Sequence, residues 1–287
     1  MLLLIKFTTS IINAFDFILS YLFKKDLRGL LYDNLQSRIN IVDINNKKIK
    51  LYSPGAILKW RVVTYFTKEP DTLMWIRSFS NHNNKNVIFW DIGANIGLYS
   101  IYASKVNKKI KVFSFEPSPN NYKSLSTNIS INKLKKKISI ITNPLHNHDK
   151  FNLFNESSAI DGSALNSFSN KLNYEGKKFV PDLSFNILGL SLDFLIDKKL
   201  IPIPNFIKID VDGNEHVILK GMRKHIRNPK VEEILIEINL NYKFQYNSIM
   251  KQMNNNKFFV YKKFPSSLDN SKDKFSNTFN FIFKRKK

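Results

Sequence analysis

The stretch from Val87 to Pro117 constrains the chain more than any other. An apolar run, Val87 to Trp90, meets the turn Asp91-Ile-Gly93-Ala94-Asn95-Ile-Gly97. Apolar residues then recur at Ile96, Tyr99, Ile101, Tyr102 and Val106, and a second apolar run closes on Glu116-Pro117. Strand, tight turn, helix and strand in that order specify a βαβ unit, which binds a nucleotide-like ligand at the carboxyl ends of its strands.

The glycines narrow the ligand. Gly93 allows a tight turn with close backbone approach, and Gly97 lets the following helix pack near the strand. A dinucleotide fingerprint needs Gly-x-Gly-x-x-Gly, whereas the second and third positions here are Asn95 and Leu98. That departure argues against a pyrophosphate on the helix N-terminus. Glu116, about 20 residues past the first strand, is placed to accept both hydroxyl protons of a ribose. An adenosine without a pyrophosphate fits, and S-adenosylmethionine is such a ligand. Asn95 and Asp91 would then face its carboxylate and ammonium.

A second set of acids lies in Lys208-Ile-Asp210-Val-Asp212-Gly213-Asn-Glu215. Carboxylates at the end of a buried strand are costly to hold without a task or partner. Strand alternation predicts that Asp210 and Asp212 project to one side. Three roles are open: general base for a substrate hydroxyl, hydrogen bonding to substrate or cofactor, or a site for a hard divalent ion whose ligands stay unassigned. His216 is the second choice as base, and Asp210 or Asp212 could instead cap the next helix.

The flanks supply less chemistry. Ile11, Ile12, Phe15, Ile18, Leu19, Leu22 and Phe23 recur at helical spacing, which predicts an amphipathic helix packed on the domain. The alternative is a peripheral membrane contact helped by Lys24, Lys25 and Arg28. Lys6 and Asp16 interrupt the apolar run, so no transmembrane helix is expected, and neither a charged n-region nor a small-x-small site marks a signal peptide. Residues 38–52 alternate about Asn45-Asn46 as a hairpin. Pro54-Gly55 and Glu69-Pro70 divide the next segment into two lid helices, from which Trp60, Arg61 and Glu69 could reach the site. Residues 1–85 thus read as an N-terminal extension and 86–287 as the main domain. Between Leu145 and Asn186 the chain is polar, and its serines, Ser157 and Ser158 among them, fall where acceptor choice belongs. Phe258 to Tyr261 and Phe279 to Phe283 complete the sheet as an antiparallel pair.

Composition sets outer limits. The formal net charge is +22, but Lys, Asn, Ile and Phe are all abundant together, a pattern of codon bias that makes the charge a solvated surface. The basic run Lys133 to Lys137 has no interleaved aromatic platform, so a nucleic-acid partner is not expected. The absence of cysteine excludes thiolate chemistry and sulfur-based zinc sites, and the five histidines form no metal-binding spacing.

Taken together, Asp-Ile-Gly-Ala-Asn-Ile-Gly-Leu-Tyr-Ser, Phe-Glu-Pro-Ser-Pro-x-Asn, Leu-Ser-Leu-Asp, Ile-Lys-Ile-Asp-Val-Asp-Gly-Asn-Glu and Ile-Leu-Lys-Gly-Met resemble the FkbM-type family of S-adenosylmethionine-dependent methyltransferases. The resemblance covers roughly residues 88–240. It implies an α/β fold of the class I, Rossmann-like type: a seven-stranded, mostly parallel sheet with one reversed strand and helices on both faces. It also implies methyl transfer to oxygen on a sugar, glycan or secondary metabolite. By that match Asp91, Gly93, Ala94, Asn95, Gly97 and Glu116 are cofactor contacts. Asp210 and Asp212 are catalytic candidates, and Glu215, Ser157 and Ser158 are substrate-side candidates. Two departures stand out. The family usually has Glu at the position of Asp212, and the third strand ends without an acid for the adenine amine, leaving Asn143 as its substitute. An RNA- or N-directed methyltransferase, a nicotinamide-dependent oxidoreductase and a non-catalytic basic adaptor at a membrane are the rival readings. The expected location is cytoplasmic, at a membrane surface if the N-terminal helix engages one, and oligomeric state is unassigned.

Overall fold

The computed structural model describes residues 1–36, 38–44, 47–81, 86–266 and 276–286. The hairpin turn read at Asn45-Asn46 lies outside them. Two helices open the chain, α1 (Leu2–Phe23) and α2 (Leu27–Gln36). The antiparallel hairpin β1 (Ile39–Ile44) and β2 (Lys47–Tyr52) follows, then α3 (Ala56–Val63) and α4 (Pro70–Ser78). The central unit is β3 (Val87–Ile92), α5 (Leu98–Val106), β4 (Ile110–Phe115), α6 (Pro119–Ile131) and β5 (Ile138–Ile141). Next come β6 (Lys150–Glu156), β7 (Ser167–Phe168), β8 (Leu183–Gly189), α7 (Leu192–Asp197) and β9 (Phe206–Ile209). The last elements are α8 (Glu215–Lys220), β10 (Glu233–Asn239), α9 (Lys243–Asn255), β11 (Phe258–Pro265) and β12 (Thr278–Arg285).

Seven strands form one sheet in the order β11-β12-β10-β9-β3-β4-β5. Neighbours from β10 to β5 pair in parallel, and β12 runs antiparallel to both β10 and β11, so it is the single reversed strand. This is the expected class I methyltransferase order, and its strand order reverses between β3 and β9, where open α/β sheets hold ligands.

Strand alternation sorts the core into two layers. Phe89, Val112, Phe206 and Leu235 bury one face against Trp75, Ile76 and Phe79 of the α4 segment. Trp90, Phe113, Ile207, Ile209, Ile234 and Ile236 bury the other against α7, α8 and α9. The same alternation carries an ionisable row along the first face, because Asp91 pairs in register with Lys208 and Glu237 follows Leu235 by two residues. Local signals start the helices: Ser118 accepts from Asn121 N at 3.3 Å with Pro119 at the first helical position, and Ser191 caps α7 through Phe194 N.

Two expectations are corrected. Helix α1 is continuous across Lys6 and Asp16, is long and apolar enough to cross a bilayer, and is exposed rather than packed on the domain; Asp16 is its one buried residue. A helix backbone tolerates one charge per several turns, so the interruptions end nothing. The polar segment after Leu145 carries strands of its own, β6 pairing antiparallel to both β7 and β8 in a small separate sheet.

Candidate active site

The turn between β3 and α5 is knotted to the end of β4. The Gly93 and Ala94 amides both donate to the Phe115 carbonyl at 3.0 Å. The Asn95 amide donates to Glu116 Oε2 at 2.8 Å, and Glu116 Oε1 accepts from Ser118 N at 3.0 Å and Asn121 Nδ2 at 3.4 Å. Gly93 has φ +82°, and a Cβ there would stand 1.8 Å from the Asp210 carbonyl oxygen, so the residue must be glycine. Burial pushes the Glu116 carboxyl up to about 7 against the hydrogen bonds from Ser118 and Asn95.

Two cavities meet at this turn. The first spans about 630 Å³, its mouth included, and is lined by Gly93, Asn95, Glu116, Asn143, Asp212 and residues of the polar segment, Ser163, Ala164 and Asn166. The second lies under the lid, between Trp60, Arg61, Tyr65, Lys68 and Glu69 on one wall and Ala94, Ile96, Leu98 and Tyr99 on the other. Gly93, Asn95 and Asp210 line both, so they form the partition.

Asp210 lies just past β9, and its Oδ2 sits 2.6 Å from the Nζ of Lys208, whose side chain is wholly buried and also faces the Tyr99 ring at 4.7 Å. Burial pushes the Asp210 carboxyl up, but the charges of Lys208 and Lys68 outweigh it and leave it below the usual carboxylate value. Asp212 has φ +60°. The strand stops at Ile209, so alternation does not govern Asp212 as the sequence reading assumed. It accepts instead from Leu165 N at 2.7 Å, and burial plus the charge of Asp210 push it up to about 6.

Asp91 is fully buried behind the turn. Its Oδ2 accepts from Ser100 Oγ at 2.6 Å, while Oδ1 has no partner among the described residues. Burial raises its pKa, opposed by Lys208 and Ser100. The Asn95 side-chain amide is spent on the Ser163 carbonyl at 2.7 Å, which ties the polar segment down over the turn. Gly97 has φ +85° and lies against Leu125, where it starts α5. Asn143 lines the first cavity and donates to the Leu188 carbonyl at 2.9 Å, leaving its amide oxygen as the acceptor-capable atom.

Other candidates fall elsewhere. His216 lines neither cavity. The start of α8 turns its ring against Tyr242 and Phe244, and burial, with Lys220 nearby, lowers it to about 4. Glu215 is turned inward, where it accepts from Val211 N and Gly213 N and shapes the turn rather than facing an acceptor. Burial pushes it up to about 7. Ser157 Oγ is spent on the Ala164 carbonyl, and the Ser158 carbonyl accepts from Ser163 Oγ, so these serines brace the segment whose Ser163, Ala164 and Asn166 reach the cavity.

Sequence reasoning missed Glu237 and the placement of Lys208. A lysine and a glutamate within otherwise apolar buried strands were the available signals. Oxygens of Glu69, Asp210 and Glu237 lie within 4.8 Å of one another, a spacing that suits a divalent cation. Lys208 on Asp210, and Lys68 at 3.3 Å from Glu69, already supply the countercharge there, while burial and Asp210 raise the Glu237 carboxyl well above its usual value.

The methyltransferase FkbM domain family matches residues 91–261. The chain is similar to the hexuronic acid methyltransferase AglP of Haloferax volcanii, 29% identical over 166 residues that make up 57% of this chain and 60% of that protein. It therefore spans about 60% of the length of the curated relative it matches. Among solved structures, precorrin-6y C5,15-methyltransferase from Geobacter metallireducens is 13% identical over 76% of this chain and 87% of that one, with a TM-score of 0.42. TYW2 of M. jannaschii in complex with AdoMet is 14% identical over 86% and 87%, with a TM-score of 0.41. Because the family description covers more than half of its residues, the chain belongs to the FkbM methyltransferase domain family.

Proposed function

We propose that the chain is an S-adenosylmethionine-dependent O-methyltransferase whose acceptor is a sugar or glycan hydroxyl, with an acidic sugar as the first choice. The observation that carries this reading is the shared partition: Asp210, Gly93 and Asn95 border both a cavity holding Glu116 and a second cavity under the lid. Two ligands placed in them would meet at Asp210.

The first cavity fits the cofactor by its donor set. Glu116 is held by three donors yet lines the cavity, and its Oε2, which accepts from Asn95 N alone, keeps a lone pair for a ribose hydroxyl. Asp91 lines neither cavity; its buried Oδ1 lacks a partner among the described residues, so it enters the proposal only as a charge behind the turn. Asn143 lies where the adenine would be read. When bound, S-adenosylmethionine supplies an electrophilic methyl on a sulfonium.

On the acceptor side, Trp60 is 51% exposed and offers a ring face to a sugar, while Arg61 and Lys68 offer donors to hydroxyls or a carboxylate. Arg61 Nε already donates to the Gly162 carbonyl at 2.7 Å, which joins the lid to the polar segment. Asp210 is the assigned proton acceptor because it borders both cavities, whereas Asp212 lines the cofactor side and is committed to Leu165 N. Proton removal from the attacking hydroxyl should be worth about 10² to 10⁴ in rate, with in-line positioning supplying the rest.

The likeness to a protein named for hexuronic acids supports the acidic-sugar choice. The rivals are disfavoured by the broken dinucleotide glycine pattern, by the lack of an Asn/Asp-Pro-Pro-aromatic motif and by acids that line a cavity. A cytoplasmic location beside a membrane surface belongs to the same proposal. The test is transfer of deuterated methyl from S-adenosylmethionine to hexuronic-acid oligosaccharides, read by mass spectrometry beside neutral sugars and RNA. Label on a hexuronic hydroxyl supports the reading; label on RNA or on amines alone refutes it.

A further inference from the structure

Helix α1 is the largest feature that the site does not use. Its apolar side chains are exposed on every side: Leu3 is 84% exposed, Leu22 61% and Phe23 62%. Its 22 residues, at 1.5 Å each, extend about 33 Å, against a bilayer hydrocarbon core of about 30 Å. A water-facing helix would carry a polar face, and this one has Lys6 and Asp16 as its only charged residues.

We infer that α1 is inserted in a lipid bilayer as an integral anchor, rather than resting on its surface. Hydrocarbon tolerates polar groups that bond within the helix. The hydroxyls of Thr8, Thr9 and Ser10 donate back to the carbonyls of Leu4, Ile5 and Lys6. Asp16 is closed off by Arg28, whose Nε lies 2.6 Å from Oδ2 and whose amide donates to Oδ1 at 3.2 Å. Lys6 has a stem long enough to carry its charge toward a headgroup layer. At the end joined to the domain, Lys24 and Lys25 form the basic flank that anionic headgroups attract, Arg28 being committed to Asp16. Beside them α2 exposes Leu30, Tyr32 and Leu35, an apolar set with an aromatic suited to the interface. A second copy of the chain would cover one stripe of α1, whereas lipid covers its whole circumference.

The inference is independent of the acceptor and of the cofactor. The full chain is mixed with vesicles of phosphatidylcholine, or of phosphatidylcholine with phosphatidylserine, floated on a density gradient and washed in concentrated salt and in alkaline carbonate. The chain is expected to float with both vesicle types and to resist both washes. The triple variant Leu3→Glu, Phe7→Glu, Ile11→Glu alters exposed positions, and it should lose at least tenfold of the floating fraction while keeping the parent's thermal shift with S-adenosylhomocysteine. Four results overturn insertion: no flotation, release by salt alone, a soluble oligomer that keeps α1 out of lipid, or membrane-recovered protein whose mass shows α1 removed. The thermal shift reads the cofactor site separately.

Discussion

Lys208→Met removes a fully buried lysine beside the partition. The wild-type side chain pairs with Asp210 at 2.6 Å and is 0% exposed, against 23% for the Asp210 side chain. Burial alone would drive the lysine to lose its proton, yet Asp210, Glu69 and Asp91 raise its pKa, so it is charged in the folded protein. Breaking a buried pair by removing one partner costs about 3–5 kcal/mol, because the other charge stays buried. The penalty must depend on pH. In the wild type the Asp210 pKa is lowered, so its contribution is present above the unfolded carboxylate value and is lost as pH falls through the folded value. In the variant, burial loses its main opponent and the carboxyl pKa rises. Below that raised value, protonation returns up to about 1.4 kcal/mol per pH unit, so the penalty shrinks on acidification. Urea unfolding followed by the fluorescence of the buried Trp75 and Trp90 reads this at neutral pH and near pH 5. The acid limb of kcat/KM should also move upward in the variant. A penalty below about 1 kcal/mol, or one equal at both pH values, would refute the pairing and the assignment of Asp210 as an ionised base.

Other consequences are equally direct. Gly93→Ala places a methyl against the Asp210 carbonyl at a φ of +82°, so it should destabilise by at least about 2 kcal/mol in urea unfolding and abolish S-adenosylhomocysteine binding. Glu116 sits at about 7 through burial, so its share of apo-protein stability is present below the unfolded value and is lost as pH rises through about 7. Ribose hydroxyls need the ionised form, so calorimetric affinity for S-adenosylhomocysteine should rise between about pH 6 and about pH 8, with proton release at the lower value. His216→Phe should keep turnover within about twofold and stability within about 1.5 kcal/mol, since the ring packs on Tyr242 and Phe244 outside both cavities.

Much of this was legible in the residues, and what was not has physical reasons. The unit from Val87 to Glu116 announces itself because its strands are buried on both faces and its turn needs glycine at positive φ. Alternation failed at Asp212 because the strand had already ended at Ile209, so a same-side rule was extended into a turn. Helix α1 was read over its amphipathic second half, which hid the fact that every face is apolar. Asn166 reaches the cavity through the backbone course of a polar segment, which no local period encodes; within the serine cluster Ser163 lines the cavity while Ser157 and Ser158 are braces. Lys208 and Glu237 were visible as charges inside apolar strands, but their partners became identifiable only once parallel pairing brought β3, β9 and β10 side by side.

The cofactor assignment is tested most directly by isothermal titration of the full chain with S-adenosylhomocysteine, run beside NADH and beside the Glu116→Gln variant. Saturable one-to-one binding is expected for the wild type, with none for NADH. A loss of about tenfold to a hundredfold is expected in the variant, the worth of hydrogen bonds to a charged acceptor. Absence of binding to S-adenosylhomocysteine, or equal affinity in Glu116→Gln, would contradict the placement of an adenosine on Glu116 and with it the methyl-transfer reading.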